Sequence, residues 1–188
     1  MRHHGVPTRL LDWSYSPFVA LFFACEERDA ALENDAAVWM VNTSLIEKKV
    51  CGLAPGLITN FVEPLDLSSA DHFKALALYA FDGVDRREGL VAHFLPRLPN
   101  ARMASHQGTF LINCNHRVQF QDSLRSMMGN GAEDEWIKKW VFPYSLRPQI
   151  LEYLFRLNIH PLSLFPDLDG LGRLVALKGE IYPHGTFE

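Results

Sequence analysis

The chain has 188 residues, 48% of them hydrophobic and 21% charged, with thirteen Phe, four Trp and a formal net charge of −4. That length provides one domain with a real core, or at most two small ones. The aromatic content excludes a disordered polymer, and the negative balance gives no bulk drive toward nucleic acid or an anionic membrane. Cys25, Cys51 and Cys114 are widely spaced, with no C-x-x-C pair. Neither a zinc site nor a redox pair is indicated; buried free thiols in a reducing cytoplasm are the simpler reading. No charged-then-apolar signal pattern follows Met1, and the longest apolar run, Phe18 to Cys25, is too short to span a bilayer.

Residues 1–14 read as loop with a short extended piece, because Gly5 and Pro7 break helix. Ser16-Pro17 then predicts a helix start, with Ser as N-cap and Pro at the first helical position. This helix should run to about Asp29, buried on most sides because Phe18 to Cys25 is apolar all round. Ala36 to Asn42 reads as a central strand, and residues 43–70 as loop with strand pieces. Ala70 to Asp82 reads as helix, Gly83 to Arg87 as loop, and Leu90 to Leu95 as strand. Pro99-Asn100 opens a tight turn through Arg102 to Gly108, leading into a strand at Thr109 to Asn113. A short helix is expected over Asp122 to Met128, then a turn at Asn130-Gly131. Trp136 to Phe142 reads as a half-buried strand with two exposed lysines. Ser145 to Asn158 is expected to be a helix with Ile150, Leu151, Leu154 and Leu157 on one face. A last helix over Phe165 to Leu177 is opened by Pro166 and Asp167. The pattern predicts a single α+β domain over residues 1–188, with a mixed or antiparallel sheet and packed helices.

Three stretches carry more polar geometry than packing requires. The first holds His3, His4, Thr8, Arg9, Asp12, Trp13, Ser14 and Ser16, just before a buried helix. Free N–H groups at a helix start favour an anionic or phosphate-bearing ligand. Arg9 is suited to clamp a phosphate and Trp13 to stack on a planar base. The competing reading pairs Arg9 with Asp12, leaves Ser16 as a cap and puts Trp13 in the core. The second stretch, Ser105 to Thr109, places His106 and Gln107 before an apolar strand, with Gly108 permitting close backbone approach. Its plainer alternative is a bend with His106 in water. The third, Phe165 to Gly170, has two acids two residues apart. An acidic helix start serves them better than a metal site, which needs more ligands. Trp136-Ile-Lys-Lys-Trp140 alternates aromatic and basic residues as a nucleic-acid face would, with a polar outer strand face as the simpler account. No Walker loop, G-x-G-x-x-G, G-x-S-x-G or H-E-x-x-H occurs.

The run RHHGVPTRLLDWSYSPFVALFFA (residues 2–24) resembles the hallmark of the FRG domain family, QHYGLPTRLLDWTxSPLxALxFA. Two later blocks also resemble the family: PNARMASHQGTF (residues 99–110) and LFPDLDGL (residues 164–171). The usual Gln-His-Tyr reads Arg2-His3-His4 here, and the family's Phe-Arg-Gly does not occur, so the chain is expected to hold an N-terminally incomplete FRG domain. The layout the resemblance implies is similar to that of ADP-ribosyltransferases. It comprises an early arginine, a serine leading into a helix, and a later polar residue at a strand start. By that likeness Ser14 or Ser16 takes the serine role and Gln107 the third position, where an amide orients but cannot act as a base. His3, His4, Thr8, Arg9, Asp12, Trp13 and Ser14 would then hold NAD, without a metal. The resemblance implies a bacterial or phage toxin or defence protein acting in the cytoplasm. The alternative is a non-enzymatic recognition module for a protein or nucleic acid; no membrane partner is expected.

Overall fold

The computed structural model describes residues 10–26, 35–53, 89–94, 101–115, 117–129 and 133–182. In chain order the elements are β1 (Leu10–Ser14), α1 (Pro17–Glu26), β2 (Ala36–Val41), α2 (Thr43–Leu53), β3 (Val91–Phe94), α3 (Ala101–Ser105), β4 (Gly108–Asn113), α4 (Phe120–Met128), α5 (Glu133–Trp136) and β5 (Ile137–Phe142). A 3-10 turn at Tyr144–Leu146 leads into α6 (Arg147–Arg156), followed by α7 (Pro161–Leu164) and α8 (Leu168–Ile181). The α+β class expected from the sequence is found. One sheet has the order β1-β4-β3 and the other pairs β2 with β5. Strands β3 and β4 run antiparallel, with His93 opposite Leu111 and Val91 opposite Asn113. The chain groups into two compact units, each with its own core.

In the first unit (residues 1–13, 40–98 and 109–138) the core lies between β3, β4, α2 and α4. Ile46 and Val50, one helical turn apart on α2, are both fully buried against Val91, Leu111 and Leu124. Residues 43–53 are therefore helix, not loop with strand pieces as expected. Asn42 starts the helix: its side-chain oxygen accepts from Leu45 N at 3.3 Å and its carbonyl from Ile46 N at 3.2 Å. A polar Glu-Lys-Lys centre hides this amphipathic pattern in the sequence. Close packing needs a glycine at 89, where a Cβ would stand 2.3 Å from Ser123 Cα. On β3, Val91 N–H donates to the Met127 sulfur at 3.4 Å. Trp13 packs against this core, as the structural alternative held, and its Nε1 has no hydrogen-bond partner among the described residues.

In the second unit (residues 14–39, 99–108 and 139–188) helices α1, α6, α7 and α8 pack on one another. Val19, Phe22 and Cys25 form the buried stripe of α1 and meet Leu151, Leu154, Leu164, Phe165 and Leu177. Fully burying a leucine such as Leu151 contributes roughly 1.5–3 kcal/mol. The expected start of α1 is found: Ser16 Oγ accepts from Val19 N at 3.3 Å, and Ala20 N donates to Ser16 O. Its all-round burial is not, since Phe18 and Phe23 are exposed. Cys25 and Cys114 are buried free thiols.

Several other expectations need correction. Among the described residues β2 pairs with β5 alone, at the edge of a two-stranded sheet and not as a central strand, and its Trp39 and Met40 are exposed. Trp136 ends α5 before β5 begins, and Lys138 to Val141 are all exposed, so β5 is not half-buried. The turn expected over Arg102 to Gly108 opens as the helix α3. Leu157 lies past the end of α6 and is 57% exposed, while Leu151 and Leu154 are buried. The last helix starts at Leu168, not Phe165. Calls over residues 27–34, Ala70 to Arg87, Pro99-Asn100 and Asn130-Gly131 lie outside the described residues.

Candidate functional site

The site is built where β1 ends. Ser14 Oγ donates to the His106 carbonyl at 2.7 Å and accepts from Ser16 N at 3.0 Å. The next amide, Tyr15 N, donates to the Gln107 carbonyl at 3.0 Å. Two successive residues of the first motif thus hold two successive residues of the second, although Ser14 and His106 are 92 positions apart. The partner turn is itself tied to α3, with His106 N donating to Arg102 O and Gln107 N to Ala104 O. Gln107 takes φ +48°, the left-handed region, and its side chain is exposed. A non-glycine residue there carries backbone strain that the surrounding hydrogen bonds offset.

His106 is not simply in water. Its ring meets Phe23 edge-to-face at 5.2 Å and Phe165 at 5.0 Å. Phe165 in turn lies 4.8 Å from the guanidinium carbons of both Arg102 and Arg173. Arg102 pairs with Asp167 at 3.1 Å; Arg173 pairs with Glu26 at 2.7 Å and with Asp169 at 3.0 Å. All three motif blocks therefore converge within the second unit.

The acids of the third block serve the helix start, as the sequence favoured. Asp167 is the N-cap of α8 and accepts from Gly170 N at 2.8 Å. That bond, with help from Arg102, holds its carboxyl below the usual range. Gly170 is required there, since a Cβ would stand 1.9 Å from the Phe165 carbonyl oxygen. No group of three or more metal-ligating side chains occurs among the described residues.

Of the residues singled out in the first motif, Ser14 has its hydroxyl on the His106 carbonyl, Ser16 caps α1, Trp13 packs in the first unit and Asp12 is exposed on β1. His3, His4, Thr8 and Arg9 lie outside the described residues. Gln107 is brought to Ser14 and Tyr15 through its backbone. Sequence reasoning missed Phe23, Arg102 and Arg173 as members of the cluster.

The geometry defines an α+β protein whose serine-bearing strand end is anchored to a polar turn. A model of the FRG domain matches residues 1–33, in agreement with the motif resemblance. No curated protein and no solved structure matches the chain. No helix among the described residues is long and apolar enough to cross a membrane.

Proposed function

We propose that this is an ADP-ribosyltransferase-like domain that binds NAD or a related nucleotide and serves a bacterial or phage toxin or defence system in the cytoplasm. The observation that supports the reading is the tie between Ser14-Tyr15 and His106-Gln107, which puts the serine position and the third polar position side by side. Of the two serines, Ser14 fits that role better, because Ser16 caps α1. Arg9 and Asp12 would hold phosphates and ribose, together with His3, His4 and Thr8. The glycosidic bond of NAD would break with its electron pair leaving on nicotinamide, through an oxocarbenium-like transition state. The acceptor would then bond to the ribose carbon and lose its proton to water. Gln107 would orient the acceptor, since an amide is no base.

A thermal-shift titration with NAD, ADP-ribose and ATP tests this, with Arg9→Ala as control. Ligand at about 100 times its dissociation constant stabilises by roughly 2.7 kcal/mol. A shift with NAD that is lost in Arg9→Ala is expected. No shift in a protein that melts cooperatively overturns the reading. A second reading, a non-enzymatic recognition module for a protein or nucleic acid, draws on the exposed Trp39 and Trp140, with Lys139 Nζ 5.3 Å from the Trp39 ring. Pull-down with the wild type and with Trp140→Ala distinguishes it.

A further inference from the structure

A cavity of about 650 Å³ opens between α1, α6, α7 and α8, inside the second unit. That volume lies in the range of small-molecule sites, roughly 300–1,000 Å³. Its walls are apolar, from Phe22, Phe23, Leu151, Pro161 and Leu177. Its polar groups are few: Arg147, Arg173 and Glu26. Ser14 and Gln107 are not among the lining residues, so the cavity is distinct from the nucleotide reading above.

Arg147 is the feature that packing alone explains poorly. It is 6% exposed. Its Nε donates to the Cys25 carbonyl at 2.7 Å, and Nη1 and Nη2 donate to the Glu180 carboxylate. A guanidinium has five N–H donors. The carbonyl and carboxylate therefore fix its plane while each terminal nitrogen keeps a further N–H.

Charge decides what kind of ligand fits. Arg147 is matched by Glu180, and Arg173 by Glu26 and Asp169. Burial pushes the Cys25 thiol up to about 11, so it adds no charge near neutrality. An anion would compete with carboxylates already on the guanidiniums and would face Glu26. A cation would have to displace an arginine. Neither exchange repays the desolvation of a charge.

We propose that this cavity binds a neutral planar aromatic molecule with a carboxamide-type edge, its ring packed against the phenylalanine wall, its carbonyl accepting from Arg147 and its N–H donating to Glu26. Phe22 and Phe23 stand edge-to-face with centroids 5.7 Å apart, so they form one continuous aromatic wall. Planar Arg147, its plane fixed by Cys25 and Glu180, supplies a donor of fixed direction.

Three probes of equal size and different charge test the proposal: benzamide, benzoate and benzamidinium, titrated by ligand-observed NMR. Benzamide is expected to bind saturably, and the two ions at least tenfold more weakly. Ala176 lines the cavity and is exposed, so Ala176→Trp fills the mouth without disturbing the core. That variant should melt as the wild type does and lose benzamide binding. Arg147→Lys, which keeps the charge but loses the planar fork, should weaken benzamide at least fivefold. Equal binding of all three probes, absence of benzamide binding, or its survival in Ala176→Trp overturns the proposal. The NAD shift should persist in Ala176→Trp, which keeps the two readings separable.

Discussion

Each unit buries a polar side chain, and the two do so differently. In the first, His93 stands between Glu47, 2.8 Å from its Nδ1, and the Thr109 hydroxyl, 2.7 Å from its Nε2. His93 and Thr109 are both buried beneath α2. In the second, Arg147 is held by a backbone carbonyl and a carboxylate, and it faces a cavity. An imidazole has two ring nitrogens, and both are used by its neighbours in the first unit. A guanidinium has more donors than its neighbours occupy. The first network is closed and serves stability; the second is stable and still has hydrogen-bonding capacity for something else.

The largest expected effect comes from opening the second network. Arg147→Met keeps an apolar stem but takes the guanidinium from the Glu180 carboxylate and the Cys25 carbonyl. Urea unfolding should show a loss of about 3 kcal/mol. Adding Glu180→Leu should recover part of it, because removing both charges removes the desolvation of the pair. If the double variant is no better than the single one, the ion pair is not the source of the cost.

A smaller loss is expected from the closed network. His93→Leu should cost about 2 kcal/mol, since it removes the shared partner of Glu47 and Thr109. Glu47→Gln keeps an acceptor at the partly exposed end and should cost under about 1 kcal/mol. Equal losses in the two variants would mean that the buried Thr109 end contributes nothing beyond the Glu47 end.

The smallest effect depends on pH. His160 caps α7: its Nδ1 accepts from Ser163 N at 3.2 Å, which requires a neutral ring. Burial, with the nearby charge of Lys178, lowers its pKa from 6.5. The unfolded chain therefore binds the proton more readily. The stability this group contributes is fully present above 6.5 and is lost as pH falls through the lower folded value. Thermal melts at pH 7.5 and 5 should show the change, at most about 1 kcal/mol for a lost cap. His160→Asn should flatten it, since an amide oxygen accepts at either pH. An unchanged pH profile in that variant would assign the effect to another group.

Local signals in the sequence were readable, and distant partnerships were not. Ser16-Pro17 and Asp167 announce helix starts because the cap and the amide it serves lie within three residues. The apolar run before Asn113 announces β4 for the same reason. The helix α2 was hidden because Asn42 resembles a loop residue until Ile46 and Val50 are seen on one buried face. Exposure of β5 was hidden too, since alternation of aromatic and basic residues states a period and not what covers it. The candidate site was visible as three motif blocks with no stated relation. Their convergence depends on contacts such as Ser14 to His106 and Arg173 to Glu26, which span 92 and 147 positions.

The chain leaves one unit for the other after Trp13, Trp39, Leu98, Gly108 and Lys138. Neither core is therefore encoded by a continuous stretch, and no single cut yields a fragment with a whole interior. Cleavage within the first motif would leave Trp13 on one piece and Ser14 on the other. Truncation is for this reason a poor way to dissect the molecule, and point substitution the sound one. Assembly must also wait for segments synthesised far apart, which places this protein among the slower folders for its length.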